Sequence, residues 1–291
     1  MQELLLPPLA PETIFHIGNF AVSNSLINSS LTVVLFAVFA LFLNRGIKKY
    51  YKRDRAPKGI LNFFEAILEI LLSYIDGVTK NRKKSLTFLP IVGTLFLFIL
   101  ISNWLGQFPG TGSFVRYLPH EGRIVGIPIL RPATSDLNLT VVMSVFGVVT
   151  AHFLGIMTIG FFKYANKFIK LGDIYQAVKS LSPTKILIAV IEFFVGLIEV
   201  FSEIAKMVSL SLRLFGNIFA GEVLMTVMAS LMAFIVPLPF MGLEILVGII
   251  QAIVFSMLVL VYLTIATTEI QSHEDNKHHN KVTKKLEPAV E

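Results

Sequence analysis

The chain has 291 residues, of which 54% are hydrophobic and 15% charged, with a mean hydropathy of +0.73; that balance excludes an ordinary soluble domain and marks a polytopic membrane protein. The net charge of +6 comes from 25 Lys and Arg against 19 Asp and Glu, and because the basic residues collect in a few connecting segments they report topology, with no nucleic acid expected as a partner. Cysteine is absent, which excludes disulfides, thiolate metal sites and thiol chemistry.

Residues 1–25 hold no Lys or Arg and include Pro7, Pro8 and Pro11, so a cleaved secretory signal is not expected. The apolar run 26–43 is close to the roughly 20 residues that span a bilayer and forms the first predicted crossing. KKYYKRDRAPKG, starting at Lys48, is a basic hinge. Residues 59–78 then repeat Leu61, Phe64, Ile67, Leu68 and Leu71 at helical spacing, with Glu65, Glu69 and Asp76 punctuating the other side. Flanked by basic clusters, this amphipathic helix is expected to lie along the cytoplasmic face and not to cross. Residues 86–105 form the second crossing. A loop rich in Gly and Pro, 106–135, leads into ATSDLNLT, where Ser135 or Asp136 can cap a third crossing at 137–162.

The stretch 184–236 holds no proline between Pro183 and Pro237. It reads as one helix of roughly 80 Å at 1.5 Å per residue, against a hydrocarbon core of about 30 Å. After a turn at Pro237 and Pro239, the arm 241–268 adds about 40 Å. Both exceed an upright crossing, so the two are predicted to form a long, steeply tilted hairpin. A polar tail, 271–291, closes the chain.

No Lys or Arg lies before Arg45, eleven lie from Arg45 to Lys84, three between Gln107 and Asp136, five from Lys163 to Lys185 and four after Ile270. Cytoplasmic connections collect such residues, so the alternation requires an outside N-terminus, five crossings and an inside C-terminus. The predicted fold class is an all-α polytopic membrane protein, a single membrane domain over 1–291 with about five crossing helices and one interfacial helix.

Two cations remain within the apolar region, Lys206 and Arg213. Arg213 stands in SLSLRLFGNIFAGE, from Ser209 to Glu222. An ionised side chain at mid-bilayer costs at least roughly 2.5–3.5 kcal/mol, and arginine cannot shed its proton to escape. At helical pitch, Glu192, Glu199, Glu203, Lys206 and Asn217 fall within about 80° of Arg213 on one stripe, while Glu222 faces the opposite side. Gly216 and Ala220 flank the arginine and leave room for another helix. On the second arm, Glu244, Gln251 and Tyr262 lie within about 20° of one another.

In an antiparallel hairpin Glu222 and Glu244 fall toward the outer end, Arg213 and Gln251 near mid-depth, and Glu199 toward the inner end. Polar groups then extend through the whole thickness, interrupted by one fixed cation. Two half-paths for protons with a barrier between them would be laid out in this way. Carboxylates out of water can bind and release protons near neutral pH. Arginine relays none; it can attract a facing carboxylate, drive release of that group's proton and repel hydronium. An open path would dissipate about 2.3 kcal/mol per charge for each 100 mV.

SLSLRLFGNIFAGE, followed by EILVGIIQAIVFSMLVLVYL, resembles subunit a of the F-type ATP synthase, the stator channel that works against the rotating c-ring. The resemblance covers nearly the whole chain, and the RLFGN-x-x-AGE pattern with a downstream glutamine is specific. It implies a non-catalytic subunit for proton transport in ATP synthesis, multi-pass in a bacterial inner membrane. Its partners would be the c-ring, peripheral-stalk b-type subunits and the rest of the synthase, with no cofactor and no metal. It implies that Arg213 faces the c-ring carboxylate with Gln251 beside it, that Glu222 and Glu244 line the outer half-channel, and that Asp136 and Asn138 help admit protons. Asn217, Ser209, Glu199 and Glu203 match positions toward the inner exit. Many relatives carry a histidine where this chain has Glu244, so the outer pair here is two acids.

Plainer roles stay open at each position. Arg213 could pair with Glu203 or Glu199, and Asn217 with Gln251 could be helix-to-helix hydrogen bonding worth about 0.6 kcal/mol. Glu192 and Lys206 could reach interfacial water. Ser135, Asp136 and Asn138 are also what an ordinary helix start looks like. His152 reads as a buried, hydrogen-bonded histidine, and His273, His278 and His279 as solvated. A secondary proton or cation antiporter would share the buried charges but would show repeated halves and paired interrupted helices. An intramembrane enzyme would need a Ser/His dyad or an HExxH pair, and nucleotide binding a GxxxxGK[ST] loop. None of these is present in the sequence.

Overall fold

The computed structural model describes residues 7–51, 59–108, 110–111, 114–120, 123–168, 183–231 and 236–268; the polar tail at 271–291, with its three histidines, lies outside them. Antiparallel strands β1 (Thr13–Ile17) and β2 (Phe20–Ser23) turn at Gly18, whose φ is 62°, and lead directly into α1 (Asn24–Tyr51). Then follow α2 (Ile60–Thr79) and α3 (Arg82–Gln107). A second antiparallel pair, β3 (Val115–His120) and β4 (Arg123–Pro128), occupies the loop before a 3-10 turn at Ala133–Ser135. The chain continues as α4 (Leu137–Ile159), α5 (Phe161–Phe168), α6 (Pro183–Leu231) and α7 (Pro237–Thr268).

The protein is thus a helical polytopic membrane protein. Asn24–Lys48 of α1, α3, α4 and Pro237–Thr267 of α7 are long and apolar enough to cross a membrane. They keep large apolar side chains such as Val34, Val38, Phe146, Phe153 and Ile250 exposed; a helix can present such a face to lipid because its backbone hydrogen bonds are satisfied internally. The two hairpins are additions to the predicted helical plan. Each is only two strands, too short for its alternation to stand out from an irregular loop in sequence.

Helix ends follow local chemistry. Asn81 caps α3 by accepting hydrogen bonds from the N–H groups of Lys83 and Lys84 at 3.0 and 3.4 Å, and Arg82 pairs with Asp76 across the α2–α3 turn. The third predicted crossing was expected to run to residue 162, but α4 stops at Ile159. Gly160 takes φ 94° and its N–H donates to Ile156 O at 2.8 Å, closing the last turn as a left-handed glycine does. The last helix begins at Pro237, earlier than expected, since proline fits the first helical turn, where its missing N–H is not needed. As one helix of 49 residues, α6 is about 74 Å long.

By contacts the chain separates into two compact units, Met1–Ser144 with Ser209–Leu258 and Val145–Val208 with Val259–Glu291. In the first, Ile75, Val92, Ile99, Leu214, Ile218 and Phe255 are buried; in the second, Val148, Ala151, Tyr164, Val259 and Leu263 are. The first unit also buries a polar stripe on α1, Asn24, Asn28 and Thr32, at four-residue spacing. Its purpose is to hold the segment before α4: Asn28 Nδ2 donates to the carbonyls of Arg131 at 2.7 Å and Ser102 at 3.3 Å. Thr134 bonds the Asn103 side chain on α3. Gly106 completes the seat, because a Cβ there would overlap the backbone of Pro132. Gly106→Ala is therefore expected to destabilise the protein by about 1–3 kcal/mol, the usual cost of overpacking, seen as a lower melting temperature of the purified protein in detergent.

Candidate functional site

The C-terminal half of α6 has two unlike faces. Leu210, Leu214 and Ile218 are buried at four-residue spacing. Ser209, Arg213, Asn217 and Ala220 are exposed, and Gly216 lies on the same side by helical pitch. Arg213 makes no hydrogen bond or ion pair among the described residues of its unit. A Cβ on Gly216 would meet nothing within 4 Å, so the groove beside the arginine is open. At the edge of this face Asn217 Nδ2 donates to Gln251 Oε1 at 2.7 Å, which joins α6 to α7. Gln251 is buried, and its Nε2 has no hydrogen-bond partner.

Glu222, on the other side of α6, meets Arg131 from the segment before α4. Arg131 Nε lies 2.9 and 3.0 Å from the two carboxylate oxygens. The guanidinium is 2% exposed and also donates to Ala10 O at 3.3 Å and Pro8 O at 3.0 Å, while lying 5.9 Å from the centroid of the Phe219 ring. A buried cation is tolerable when it is paired and its donors are used, and here each guanidinium nitrogen is engaged. Glu244, from α7, lies against Gly221. A Cβ on that glycine would come within 2.5 Å of Glu244 Oε1. Glu244 itself makes no hydrogen bond or ion pair among the described residues of its unit.

Both carboxylates line a cleft of about 340 Å³ together with Arg131, Gln107 and Thr226. It has room for several waters. Gln107 leaves both atoms of its buried amide without a partner, and Asn103 Nδ2 is in the same state. Buried amides in that condition are normally hydrogen-bonded to water. The predicted residues Asp136 and Asn138 stand at the start of α4. Asp136 Oδ1 accepts from Asn138 N at 2.9 Å, which caps the helix, and Oδ2 accepts from Ser25 Oγ at 2.8 Å. The Asn138 side is exposed.

In the second unit, Glu203 is flanked by two bases. Lys206 Nζ donates to its Oε1 at 2.7 Å, and His152 Nε2 lies 3.5 Å from its Oε2. Glu199, on the same helix, is half-buried. Sequence reasoning alone places Arg131 only among the basic residues of a connecting loop; an isolated arginine in Ile129-Leu130-Arg131-Pro132 is the available signal. It also passed over Gln107 and Asn103, polar residues in the last turns of an apolar helix. Glu222 and Glu244 are therefore not two acids alone, since Glu222 is paired with a permanent cation.

A family model described as ATP synthase A chain matches residues 26–264. The chain is 31% identical over 268 residues to ATP synthase subunit a of Gloeobacter violaceus, which covers 91% of this chain and 90% of that relative. It is 31% identical over 261 residues to the Helicobacter pylori ATP synthase subunit a, 89% and 98% of the two chains, and 28% identical over 253 residues to that of Moorella thermoacetica, 87% and 94%.

Removing one partner of a buried ion pair strands the other. Arg131→Met is expected to lower stability by about 3–5 kcal/mol, whereas combining it with Glu222→Leu recovers most of that loss; melting temperatures of Arg131→Met, Glu222→Leu and the double variant check the coupling.

Proposed function

The chain belongs to the ATP synthase A chain family, and on that footing we propose that it is the fixed side of a proton channel in an ATP synthase, loading and unloading carboxylates on a rotating c-ring. The observation that carries this reading is Arg213. It is a permanent cation in the largely apolar stretch between Lys206 and Glu222, exposed and unpaired within its unit, on a face that also holds Ser209, Gly216 and Ala220. Such a charge persists in a membrane with a partner or a task. The small neighbours let a second helix come close, and a carboxylate on that helix supplies the missing counter-charge. The plainer alternative, pairing with Glu203, is disfavoured because Lys206 already engages that carboxylate.

In this mechanism α6 is the fourth of five crossings of a bacterial inner membrane, with the N-terminus outside. A proton enters the cleft from outside and is taken up by Glu244. Glu222, tied to Arg131, sets the charge of the cleft and keeps its wall in place. Glu244 is the acid free to bind and lose the proton, and Gln107 and Asn103 hold water beside it. The proton passes to a ring carboxylate, which once neutral can move into lipid, where its ionised form could not. After almost a full turn the carboxylate meets Arg213 from the other side. The guanidinium favours the ionised form, and the proton leaves by the path of Asn217, Ser209, Glu199 and Glu203. Gln251, bonded to Asn217, holds α7 against α6 beside the arginine. Because Arg213 carries no exchangeable charge state, protons cannot step from one path to the other. Peripheral-stalk subunits would keep this chain from turning with the ring.

Two outcomes test the reading in the complete synthase reconstituted in vesicles. Arg213→Ala is expected to abolish ATP synthesis driven by an imposed proton gradient and to raise passive proton permeability; a variant complex that still couples normally overturns it. Glu244→Gln is expected to slow proton uptake at every outside pH without opening a leak. Gly221→Ala, which displaces the Glu244 carboxyl but clashes only with the end of a flexible side chain, should slow uptake with little loss of thermal stability.

A further inference from the structure

In the second unit five polar side chains from four helices converge: His152 of α4, Tyr164 of α5, Glu203 and Lys206 of α6, and Tyr262 of α7. His152 Nδ1 is 2.6 Å from the Tyr164 hydroxyl, and its Nε2 is 3.5 Å from Glu203 Oε2. Lys206 Nζ donates to Glu203 Oε1 at 2.7 Å and lies 5.6 Å from the centroid of the Tyr262 ring. Two cavities meet at this group. One, of about 10 Å³, is enclosed by His152, Tyr164, Glu203, Lys206 and Tyr262 among others, and is near the least space that holds a water. The other is an open cleft of about 410 Å³ that His152, Tyr164 and Glu203 share with apolar side chains such as Ile156 and Met207.

A structural ion pair needs only Lys206 and Glu203, which are already three residues apart on one helix. The imidazole adds a group whose charge changes near neutral pH. The Tyr164 hydroxyl can donate to Nδ1 when the ring is neutral and accept from it when the ring is charged, so neither state loses its hydrogen bond. At 3.5 Å the Nε2–Oε2 contact is long for a hydrogen bond but leaves no room for an intervening water, so a small side-chain movement brings the two atoms to direct transfer distance. Glu203 thus faces one cation that never changes and one that can come and go. The Lys206–Glu203 pair is neutral, and a proton on His152 makes the group +1, a charge held beside a carboxylate and next to an open cleft.

We infer that His152 and Glu203 form a proton-exchanging pair on the cytoplasmic side, with Lys206 as its fixed counter-charge and Tyr164 as the residue that positions the imidazole. A proton released toward this side bonds to His152 Nε2 as it leaves a water or the Glu203 carboxyl, and is lost again to water in the cleft, which returns the ring to neutral. The inference rests on the proton-channel reading above and assigns it a residue that the sequence marks only as a buried histidine.

The test uses the complete synthase in vesicles, with ATP-driven proton pumping followed as a function of pH on the cytoplasmic side. His152→Gln keeps a hydrogen-bonding side chain but cannot ionise. It is expected to lower turnover about a hundredfold, at the low end of what a positioned acid or base contributes, and to flatten the pH dependence over the range of about 5 to 8 in which histidine titrates. Tyr164→Phe, which retains the imidazole, is expected to displace the midpoint of that dependence without abolishing it. Unchanged turnover and an unchanged pH profile for His152→Gln overturn the inference. So does a loss of assembled complex whose remaining activity keeps the wild-type profile. Should His152→Gln fail to assemble, Tyr164→Phe decides, and an unmoved midpoint overturns the pair. Arg213→Ala measured alongside separates the two readings: uncoupling there with no change at His152 removes only this pair, while normal coupling there removes the channel reading itself.

Discussion

The Arg131–Glu222 ion pair is the interaction on which the first unit depends. Moving two charges out of water costs several kcal/mol each unless they meet with good geometry and their remaining donors are used. Here Nε faces the carboxylate while the terminal nitrogens reach the carbonyls of Pro8 and Ala10. One side chain thereby ties the N-terminal segment and the approach to α4 to α6. It also fixes the wall of the cleft in which Glu244 lies. Without that anchor, the segment 129–136 would be held against α1 and α3 by Asn28, Thr134, Gly106 and the Ser25–Asp136 bond.

Arg213 is the complement of Arg131. The same physics that makes Arg131 stable when paired makes Arg213 costly when it is not. Within its unit Arg213 has no hydrogen bond or ion pair, although carboxylates are available elsewhere on its own helix. Each of those described in detail is committed: Glu222 to Arg131, and Glu203 to Lys206 and His152. These internal pairs account for two carboxylates of α6 and leave Arg213 without a partner among the described residues of its unit.

Small residues set how closely these charges can approach. Gly106 admits the Pro132 backbone, Gly221 admits the Glu244 carboxyl, and Gly248 lets α7 lie against Asn103 and Gln107 of α3. In the second unit Gly155 leaves room for the Tyr164 ring, whose Cε2 would lie 2.6 Å from an added Cβ. In lipid, where helices gain little from burying apolar side chains, close backbone approach of this kind is a main source of packing energy. The polar groups are then brought to hydrogen-bonding distance as a consequence.

What the sequence determined by itself follows from rules that act along the chain. Length and apolarity marked the helices that can cross a membrane, four-residue spacing placed Ser209, Arg213 and Asn217 on one face, the order Ser-Asp-Leu-Asn marked a helix start, and a guanidinium amid Leu and Phe marked the site. Those rules concern neighbours within a few residues, so they are legible in the order of the amino acids. Tertiary structure alone decided that Arg131 leaves its loop to pair with a residue 91 positions away. It decided that Asn217 bonds Gln251, that Asp136 spends both oxygens on capping and on Ser25, and that His152, an unremarkable member of an apolar helix, meets Tyr164 and Glu203. Each of these depends on which helix faces which and at what depth. The cost of an unpaired buried charge and the space left by glycine settle that choice, and neither is a property of any single segment.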